Sequence, residues 1–226
     1  MLAYPPIIQL ESQDDQLMVD LYSDQGLKIK YTTDGSSPFM KSAKIYEKPF
    51  KCDTNCFLRA VCFGESYLSK LEARKAYVDT SLHKLPIVSL LIDPDTLWNE
   101  EMGLFGNPWS IHKNEAIVEM YNFGQTIQSY DIKTRVFGSG TRLLDKKSIT
   151  IFATTLISNT LFGNRNNKYI DGFILRSVFP SNRFKNELVH DINEFMKGHV
   201  AIQEFQPAVL YIRSILGAIS FDGKKK

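Results

Sequence analysis

The residues best able to do chemistry lie in one short basic stretch, residues 138–148, with the sequence GSGTRLLDKKS. Its candidate ligand-binding residues are a Gly-Ser-Gly turn and three cations: Gly138, Ser139, Gly140, Arg142, Lys146 and Lys147. Glycine lets backbone N–H groups approach a phosphate closely, and cations oppose the phosphate charge. The stretch is neither a Walker A loop nor a dinucleotide-binding fingerprint, because Lys146 lies too far from the glycines and no helix clearly follows. The pattern therefore predicts an anion-binding turn.

The segments on either side of this stretch have the composition of β-strands. Residues 131–137 precede it and residues 149–153 follow it. A polar hairpin loop, whose Lys and Arg side chains only keep a sheet edge soluble, is therefore the alternative interpretation. The residues by themselves leave both interpretations open.

A second set of polar residues lies on a predicted amphipathic helix, residues 183–197, which Gly198 would end. Its predicted core face consists of four apolar residues: Phe184, Leu188, Ile192 and Phe195. The opposite side carries three polar residues at helical spacing: Glu187, His190 and Glu194. Two carboxylates beside a histidine could bind a metal, whereas a solvated face with local charge pairs is the alternative.

The composition fits a protein with a substantial hydrophobic core. Of the 226 residues, 43% are hydrophobic and 12% are aromatic, so disorder is not expected. The net charge of +2 gives no field that would favour nucleic acid or a membrane surface. No apolar run reaches transmembrane length, and the N-terminus lacks the positive region of a signal peptide. We expect a soluble protein.

The chain has three cysteines, Cys52, Cys56 and Cys62. An odd number cannot all pair within one chain, and no histidine lies near them in the sequence to complete a metal site. Reduced structural thiols are the favoured interpretation, and a small Cys52–Cys56 disulfide is the alternative.

Residues 1–80 have the pattern of an all-β domain, because short strand-like runs alternate with turn signals, as in a small β-sandwich. The predicted strands are residues 16–22, 27–33, 45–50, 56–63 and 69–78. Pro49 places the third of these at a sheet edge. In the turn after the second strand, Asp34 can accept hydrogen bonds from backbone N–H groups two residues on, and Gly35 permits a positive φ. A calcium-ligand role for Asp34 is the alternative.

Several pieces of this region resemble the chitobiase/β-hexosaminidase C-terminal type of immunoglobulin-like module. The matching pieces are IKYTTDGSSP at 29–38, Ile45, Tyr46, Pro49, LRAV at 58–61, Ser69 and Tyr77. The resemblance covers almost all of residues 5–79 and implies a non-catalytic appendage. The carboxylates are scattered and do not predict the acid/nucleophile pair of a glycosidase.

Residues 85–226 are predicted to form a second, α+β domain. Its predicted elements are strands at 85–92, 115–121, 125–137, 149–153, 173–176, 205–212 and 215–219, a short helix through Met102, a loop at 156–168 and the helix described above. Taken in order, this half resembles the front part of the CotH kinase family, named for a spore-coat protein. The matching pieces are LPIVSL at 85–90, Asp93, Pro94, Val118, Glu119, Arg135, Gly138, Gly140, Arg142, Lys146, Lys147, Ser148, Leu175, Arg176, Asn186, Leu188, Val209, Tyr211, Ile212 and Gly217.

The CotH resemblance implies an atypical kinase that binds ATP with Mg²⁺ or Mn²⁺, and a domain like the N-terminal lobe of such a kinase. By that resemblance Lys146 or Lys147 would contact the nucleotide phosphates, with Arg142 as a supporting cation. Glu187 or Glu194 would orient the lysine. It also implies an association with a spore coat or cell surface.

The chain departs from the family at its C-terminal end. Arg213 and Ser214 stand where the family usually has Asn-Gly, and the family's metal-binding and catalytic aspartates would follow beyond the end of this chain. We therefore expect a truncated family member with no catalytic or metal-ligating residues, unable to transfer phosphate alone, whose partner would be a protein or the missing kinase half. The alternative is a non-enzymatic module for surface assembly or for binding protein or carbohydrate. Sugars would then stack on four tyrosines of the first domain: Tyr31, Tyr46, Tyr67 and Tyr77.

Overall fold

A computed structural model describes the following residues: 1–13, 16–52, 56–65, 72–76, 83–121, 128–158, 169–177, 185–196, 205–212 and 215–223. The chain divides into two compact units. The first unit comprises Met1–Asp79, Leu91–Pro94 and Ile212–Ile215. The second comprises Thr80–Leu90, Asp95–Tyr211 and Leu216–Lys226.

The described residues of the first unit form seven antiparallel strands in two sheets. The strands are β1 (Ile7–Gln13), β2 (Gln16–Tyr22), β3 (Lys28–Thr32), β4 (Lys44–Ile45), β5 (Phe50–Cys52), β6 (Phe57–Phe63) and β7 (Glu72–Ala76). One sheet has the order β1-β2-β5 and the other has the order β4-β3-β6-β7. Apolar side chains of β2, β3 and β6 pack into one shared core between them. The predicted all-β domain is confirmed.

Local patterns account for the central strands of this unit. Ile29 and Tyr31 are buried at alternate positions of β3, and Leu27 packs against the same core, as the alternation predicted. The predicted strand at residues 45–50 is wrong in detail. It is two short strands, β4 and β5, at the edges of different sheets, with Pro49 between them. Proline cannot donate to a ladder, which fits its place outside both strands. Strand β1 was not predicted.

Arg59 is the most unusual side chain of this unit, because it is charged and only 5% exposed. Its guanidinium binds both carboxylate oxygens of Glu72, at 2.9 and 3.0 Å from Nη2, and donates to the Gly35 carbonyl at 2.9 Å. It also pairs with Asp93, while Arg74 contacts the outer side of Glu72. A buried guanidinium needs such partners, so this network fixes Arg59 in the sheet.

The three cysteines lie in this unit and no disulfide joins them, as the favoured interpretation predicted. Cys56 and Cys62 are buried in the core. Burial raises the pKa of the Cys62 thiol. The neutral thiol therefore packs as a small apolar side chain.

The second unit is organised around a seven-stranded sheet that closes on itself in the order β10-β11-β12-β14-β13-β8-β9. Its strands are β8 (Ile87–Leu91), β9 (Asn114–Tyr121), β10 (Gln128–Phe137), β11 (Ser148–Ser158), β12 (Tyr169–Arg176), β13 (Phe205–Ile212) and β14 (Ile215–Gly223). The described helices are α1 (Pro94–Trp98), α2 (Lys185–Phe195) and one turn of 3₁₀ helix, Gly140–Leu143. This unit is therefore mostly β.

Several predicted boundaries in this unit are wrong, for example those of β12, which begins at Tyr169 rather than residue 173, and of β14, which ends at Gly223 rather than residue 219. Strand β11 continues to Ser158, although a loop was predicted from residue 156. Helix α1 ends at Trp98 rather than Met102, because the Asn99 side chain accepts hydrogen bonds from the next backbone N–H groups and turns the chain away.

Helix α2 forms where the periodicity predicted a helix, but its predicted core face is not buried. Leu188, Ile192 and Phe195 are exposed, and Phe184 lies outside the described residues. Periodicity reports only that a helix has an apolar side. No helix among the described residues is long and apolar enough to cross a membrane.

Candidate functional site: an aromatic loop beside a basic hairpin

The basic stretch at residues 138–148 is the loop of a β-hairpin. Strands β10 and β11 pair antiparallel as far as Phe137 and Ser148, so the flanking strand-like runs form a hairpin, as the alternative interpretation expected. Gly138 begins the loop with φ +99°, and a Cβ on it would lie 2.2 Å from Thr141 Oγ1. Only glycine fits this position without strain. We call this segment the basic hairpin loop.

Arg142 stabilises the loop from within. Its Nε donates to the Gly138 carbonyl, and its Nη1 donates to the Pro108 carbonyl at 3.1 Å. Its guanidinium carbon lies 5.3 Å from the centroid of the Trp109 ring. This geometry combines two hydrogen bonds with a cation–π contact. Arg142 therefore joins the basic hairpin loop to residues 108 and 109.

The other two cations of the loop point to different places. Lys147 is half-buried and donates to the Leu144 carbonyl at 2.8 Å, which closes its own turn. Lys146 is exposed. A Cβ on Gly140 would meet no atom within 4 Å, so this side of the turn faces open space. The six predicted phosphate-binding residues thus share one loop, with Arg142 and Lys147 bonded to backbone carbonyls and Lys146 turned to solvent.

The carboxylates predicted to orient a lysine, Glu187 and Glu194, are in helix α2. Their side chains and that of His190 lie outside the described residues. Among the described residues, no group of three or more His, Cys, Asp or Glu side chains is arranged to hold a metal.

Residues 98–112 form an aromatic loop that contacts the basic hairpin loop through Arg142. Trp98 is 58% exposed and Trp109 is 53% exposed. Ile111 in the same loop and Leu143 on the hairpin are also exposed. Tryptophan is buried to a large extent in most proteins, so two open rings in one loop make this loop a candidate interaction surface.

Asparagine side chains hold the backbone of the aromatic loop in place. Asn99 Oδ1 accepts two backbone N–H bonds, each at 2.9 Å, and Asn107 Nδ2 donates to the Glu101 carbonyl at 2.9 Å. Buried Asn114 donates from Nδ2 to the Met102 carbonyl at 3.0 Å, which ties the loop to β9. These bonds replace the regular hydrogen bonds that a loop lacks.

Close backbone packing adds to this rigidity. A Cβ on Gly103 would lie 2.4 Å from the Asn99 carbonyl oxygen, and one on Gly106 would lie 2.2 Å from it. Leu97 and Leu104 are buried beneath the loop. The rings of the aromatic loop are therefore presented by a preorganised backbone, which lowers the entropic cost of binding.

Sequence reasoning predicted residues 104–113 only as a loop around Trp109. The signal that was missed is the repeated asparagine at 99, 107 and 114 together with two glycines and two tryptophans. Asparagine side chains hydrogen-bond to nearby backbone groups and glycine allows tight turns, so the two together favour a loop with a fixed backbone. A tryptophan in such a surface loop has little core to pack into.

Comparison with known proteins finds a match in the first unit. Residues 11–72 match the family model described as the chitobiase/beta-hexosaminidase C-terminal domain. The first unit contains a domain of this kind. No curated protein matches the chain. The chitobiase/β-hexosaminidase C-terminal-like domain thus covers strands β2 to β6 in full.

The signature turn of this domain has the predicted geometry. Asp34 Oδ1 accepts from the Ser36 N–H at 3.0 Å and from the Ser36 hydroxyl at 2.6 Å. Gly35 has φ +79°, and a Cβ there would lie 2.4 Å from the Phe57 ring. The turn therefore requires glycine for both its backbone conformation and its packing.

The predicted sugar platform of the domain is not present at the described tyrosines. Tyr31 is buried and stacks on Phe50 with ring centroids 4.5 Å apart, and Tyr46 meets Tyr31 edge to face at 6.3 Å. These rings contribute to the core, because contacts between aromatic rings add favourable free energy beyond that of burying their apolar surface. Tyr67 and Tyr77 lie outside the described residues.

Proposed function

We propose that this chain is a non-enzymatic binding protein that recognises carbohydrate through the aromatic loop. The observation that carries the proposal is the pair of half-exposed rings, Trp98 and Trp109, on a backbone held by asparagine side chains. The apolar C–H face of a pyranose ring lies flat against an indole ring. Tryptophan supplies this contact area at low conformational cost because it has only two rotatable χ angles.

The surroundings of Trp109 support the same ligand class. Arg142 lies over the ring and is itself anchored to the neighbouring Pro108 carbonyl. Trp98 is braced edge to face by Phe105, with ring centroids 5.6 Å apart. Fixed rings favour a rigid, repetitive ligand such as a polysaccharide over a flexible chain. The domain in the first unit is similar to one named for two glycosidases, which agrees with a polysaccharide-bearing surface, such as a spore coat or cell wall.

Binding to defined polysaccharides tests the proposal. Insoluble chitin, cellulose and peptidoglycan, and soluble oligosaccharides from each, would be titrated with the protein. We expect Trp109→Ala and Trp98→Ala each to weaken binding about 5- to 30-fold, from the loss of roughly 1–2 kcal/mol per stacked ring.

Phe39→Ala is the matched control, because Phe39 is also 53% exposed but lies in the first unit. It should bind like the wild type. Binding that survives the double replacement of Trp98 and Trp109 in a folded protein would refute the proposal.

A second candidate function is nucleotide binding at the basic hairpin loop, by resemblance to the front part of the CotH kinase family. The favouring observation is that Lys146 is exposed and that Gly140, in the same loop, faces open space. Phosphate would have to compete with the Leu144 carbonyl for Lys147 and with two carbonyls for Arg142. Thermal-shift scans with ATP and Mg²⁺ or Mn²⁺ test it. Stabilisation that is lost in Lys146→Ala supports it, and no shift in the wild type refutes it.

A further inference from the structure

A cleft of about 430 Å³ lies in the second unit, where the aromatic loop meets strands β9 and β10. This volume is in the range of sites for small molecules, about 300–1,000 Å³. Five charged or titratable residues line it: Asp95, His112, Lys113, Glu115 and Lys133. None of them was predicted as a site residue.

Two cations of the second unit lie against the Phe152 ring, and one of them, Lys113, lines this cleft. Lys113 Nζ lies 4.0 Å from the centroid of the Phe152 ring, and Arg135 Cζ lies 5.9 Å from it. Lys133 is directly opposite Phe152 in the β10–β11 register, so both side chains are on one face of the sheet. Asp95 and Glu115 line the same cleft, so the attraction for an anion is local to the two lysines, Lys113 and Lys133.

The described residues give these cations no carboxylate partner. Within the described part of the chain, no Asp or Glu oxygen lies within 4.0 Å of Lys113, Lys133 or Arg135. Glu115 is opposite Lys133 in the β9–β10 register without forming an ion pair. The Nε of Arg135 is buried and has no hydrogen-bond acceptor among the described residues. A cation–π contact stabilises an ammonium group but leaves its hydrogen-bond donors unused.

We propose that this cleft binds a small molecule that carries a phosphate or carboxylate group. Lys113 and Lys133 hold the anionic group, and Arg135 adds charge from the same sheet face. His112 supplies a further ring nitrogen at the cleft, and Asp95 and Glu115 accept hydrogen bonds from hydroxyl or amine groups elsewhere on the ligand. The residues that line the cleft include neither of the exposed tryptophans and no residue of the basic hairpin loop. Anion binding in the cleft is therefore tested independently of both functions proposed above.

Calorimetric titration of the full chain with pyrophosphate and with citrate at low ionic strength tests the proposal. We expect saturable binding of at least one of them. Lys113→Ala and Lys133→Ala should each weaken it roughly tenfold or more, which is the usual effect of losing one charge-assisted hydrogen bond. The conservative Lys133→Arg should restore most of it. Binding of pyrophosphate alone assigns a phosphate ligand, and binding of citrate alone assigns a carboxylate ligand.

Lys84→Ala is the matched control, since it removes an exposed lysine of the same unit that belongs to neither candidate site. It should bind like the wild type. Unchanged Trp fluorescence and melting temperature would show that each variant is folded. The proposal is overturned if neither anion binds saturably, or if Lys113→Ala and Lys133→Ala bind as well as the control.

Discussion

Replacing Arg59 by methionine should destabilise the first unit severely. Methionine has a similar length and keeps the apolar contacts of the stem, so the change removes mainly the charge and its hydrogen bonds. The guanidinium is almost completely buried and bonds to Glu72, Asp93 and the Gly35 carbonyl. The variant therefore leaves two carboxylates and one carbonyl without their common donor.

The size of the effect follows from how buried the partners are. Removing one member of a buried ion pair costs about 3–5 kcal/mol. The Glu72 side chain is 11% exposed and that of Asp93 is 28% exposed, and Arg74 still contacts Glu72 in the variant. Because both carboxylates are partly hydrated and Glu72 keeps its pair with Arg74, we expect a loss near the lower end of this range, about 3 kcal/mol. For a domain of this size, about 4–8 °C per kcal/mol gives a fall in Tm of about 12–24 °C.

Urea unfolding with two optical signals measures this loss. Both tryptophans, Trp98 and Trp109, belong to the second unit, so Trp fluorescence reports that unit alone. The far-UV signal, dominated by strands, reports both units. We expect the Arg59→Met variant to show an early far-UV transition that Trp fluorescence does not follow.

Two further variants separate the ion pair from general damage to the core. Arg74→Ala removes an exposed partner of Glu72 and should cost less than about 1 kcal/mol. Arg59→Met combined with Glu72→Met removes both charges and should recover part of the lost stability, because no buried charge is left between them. A single Arg59→Met variant as stable as Arg74→Ala would refute the assignment of Arg59 as a structural centre.

Three other predictions follow from the same structure. Gly35→Ala should lower the free energy of unfolding, measured in urea, by about 2–4 kcal/mol, because its Cβ would meet the Phe57 ring. Gly26→Ala is the control: Gly26 has a similar positive φ (+64°), but a Cβ there would meet no atom within 4 Å, so the loss should be only about 1 kcal/mol. Burial raises the pKa of the Cys62 thiol, so this thiol should react with iodoacetamide at neutral pH only as the domain unfolds. Its contribution to the free energy of unfolding should be complete at low pH and should fall as the pH rises through the pKa of the folded state. Rapid alkylation of the folded protein would contradict this. Asn99→Ala should loosen the aromatic loop by freeing two backbone N–H groups, seen as faster amide exchange there and lower Trp anisotropy with little change in global stability.

The features that the sequence predicted well are those decided by neighbouring residues. Asp34 and Gly35 form their turn because an Asp side chain reaches the N–H two residues on and glycine allows a positive φ. Strand β6 was predicted as a buried strand because its seven residues are mostly apolar, and all but the last are buried. Such decisions need no knowledge of the rest of the chain.

The features that were missed depend on partners far away in the sequence. Arg59 lies in a predicted strand, but its partners are 13 and 34 residues away, and nothing local indicates them. The apolar side of α2 was predicted correctly as a pattern, yet a pattern does not provide a surface to pack against, and Leu188 and Phe195 are exposed. Lys113 and Lys133 come together through strand register, which single-sequence periodicity does not determine.

Arg142 shows the same limit at the candidate site itself. Counted as a charge, it belongs with Lys146 and Lys147 in a phosphate site. In the structure its guanidinium donates to the carbonyl of Pro108, 34 residues away, and lies over the Trp109 ring. Any anion that recruited Arg142 would have to break these contacts and release the ring they hold. Phosphate binding by Arg142 and the proposed sugar stacking on Trp109 are therefore mutually exclusive, because the first breaks the contacts that position the ring for the second. The contacts that Arg142 makes are those that sugar stacking needs.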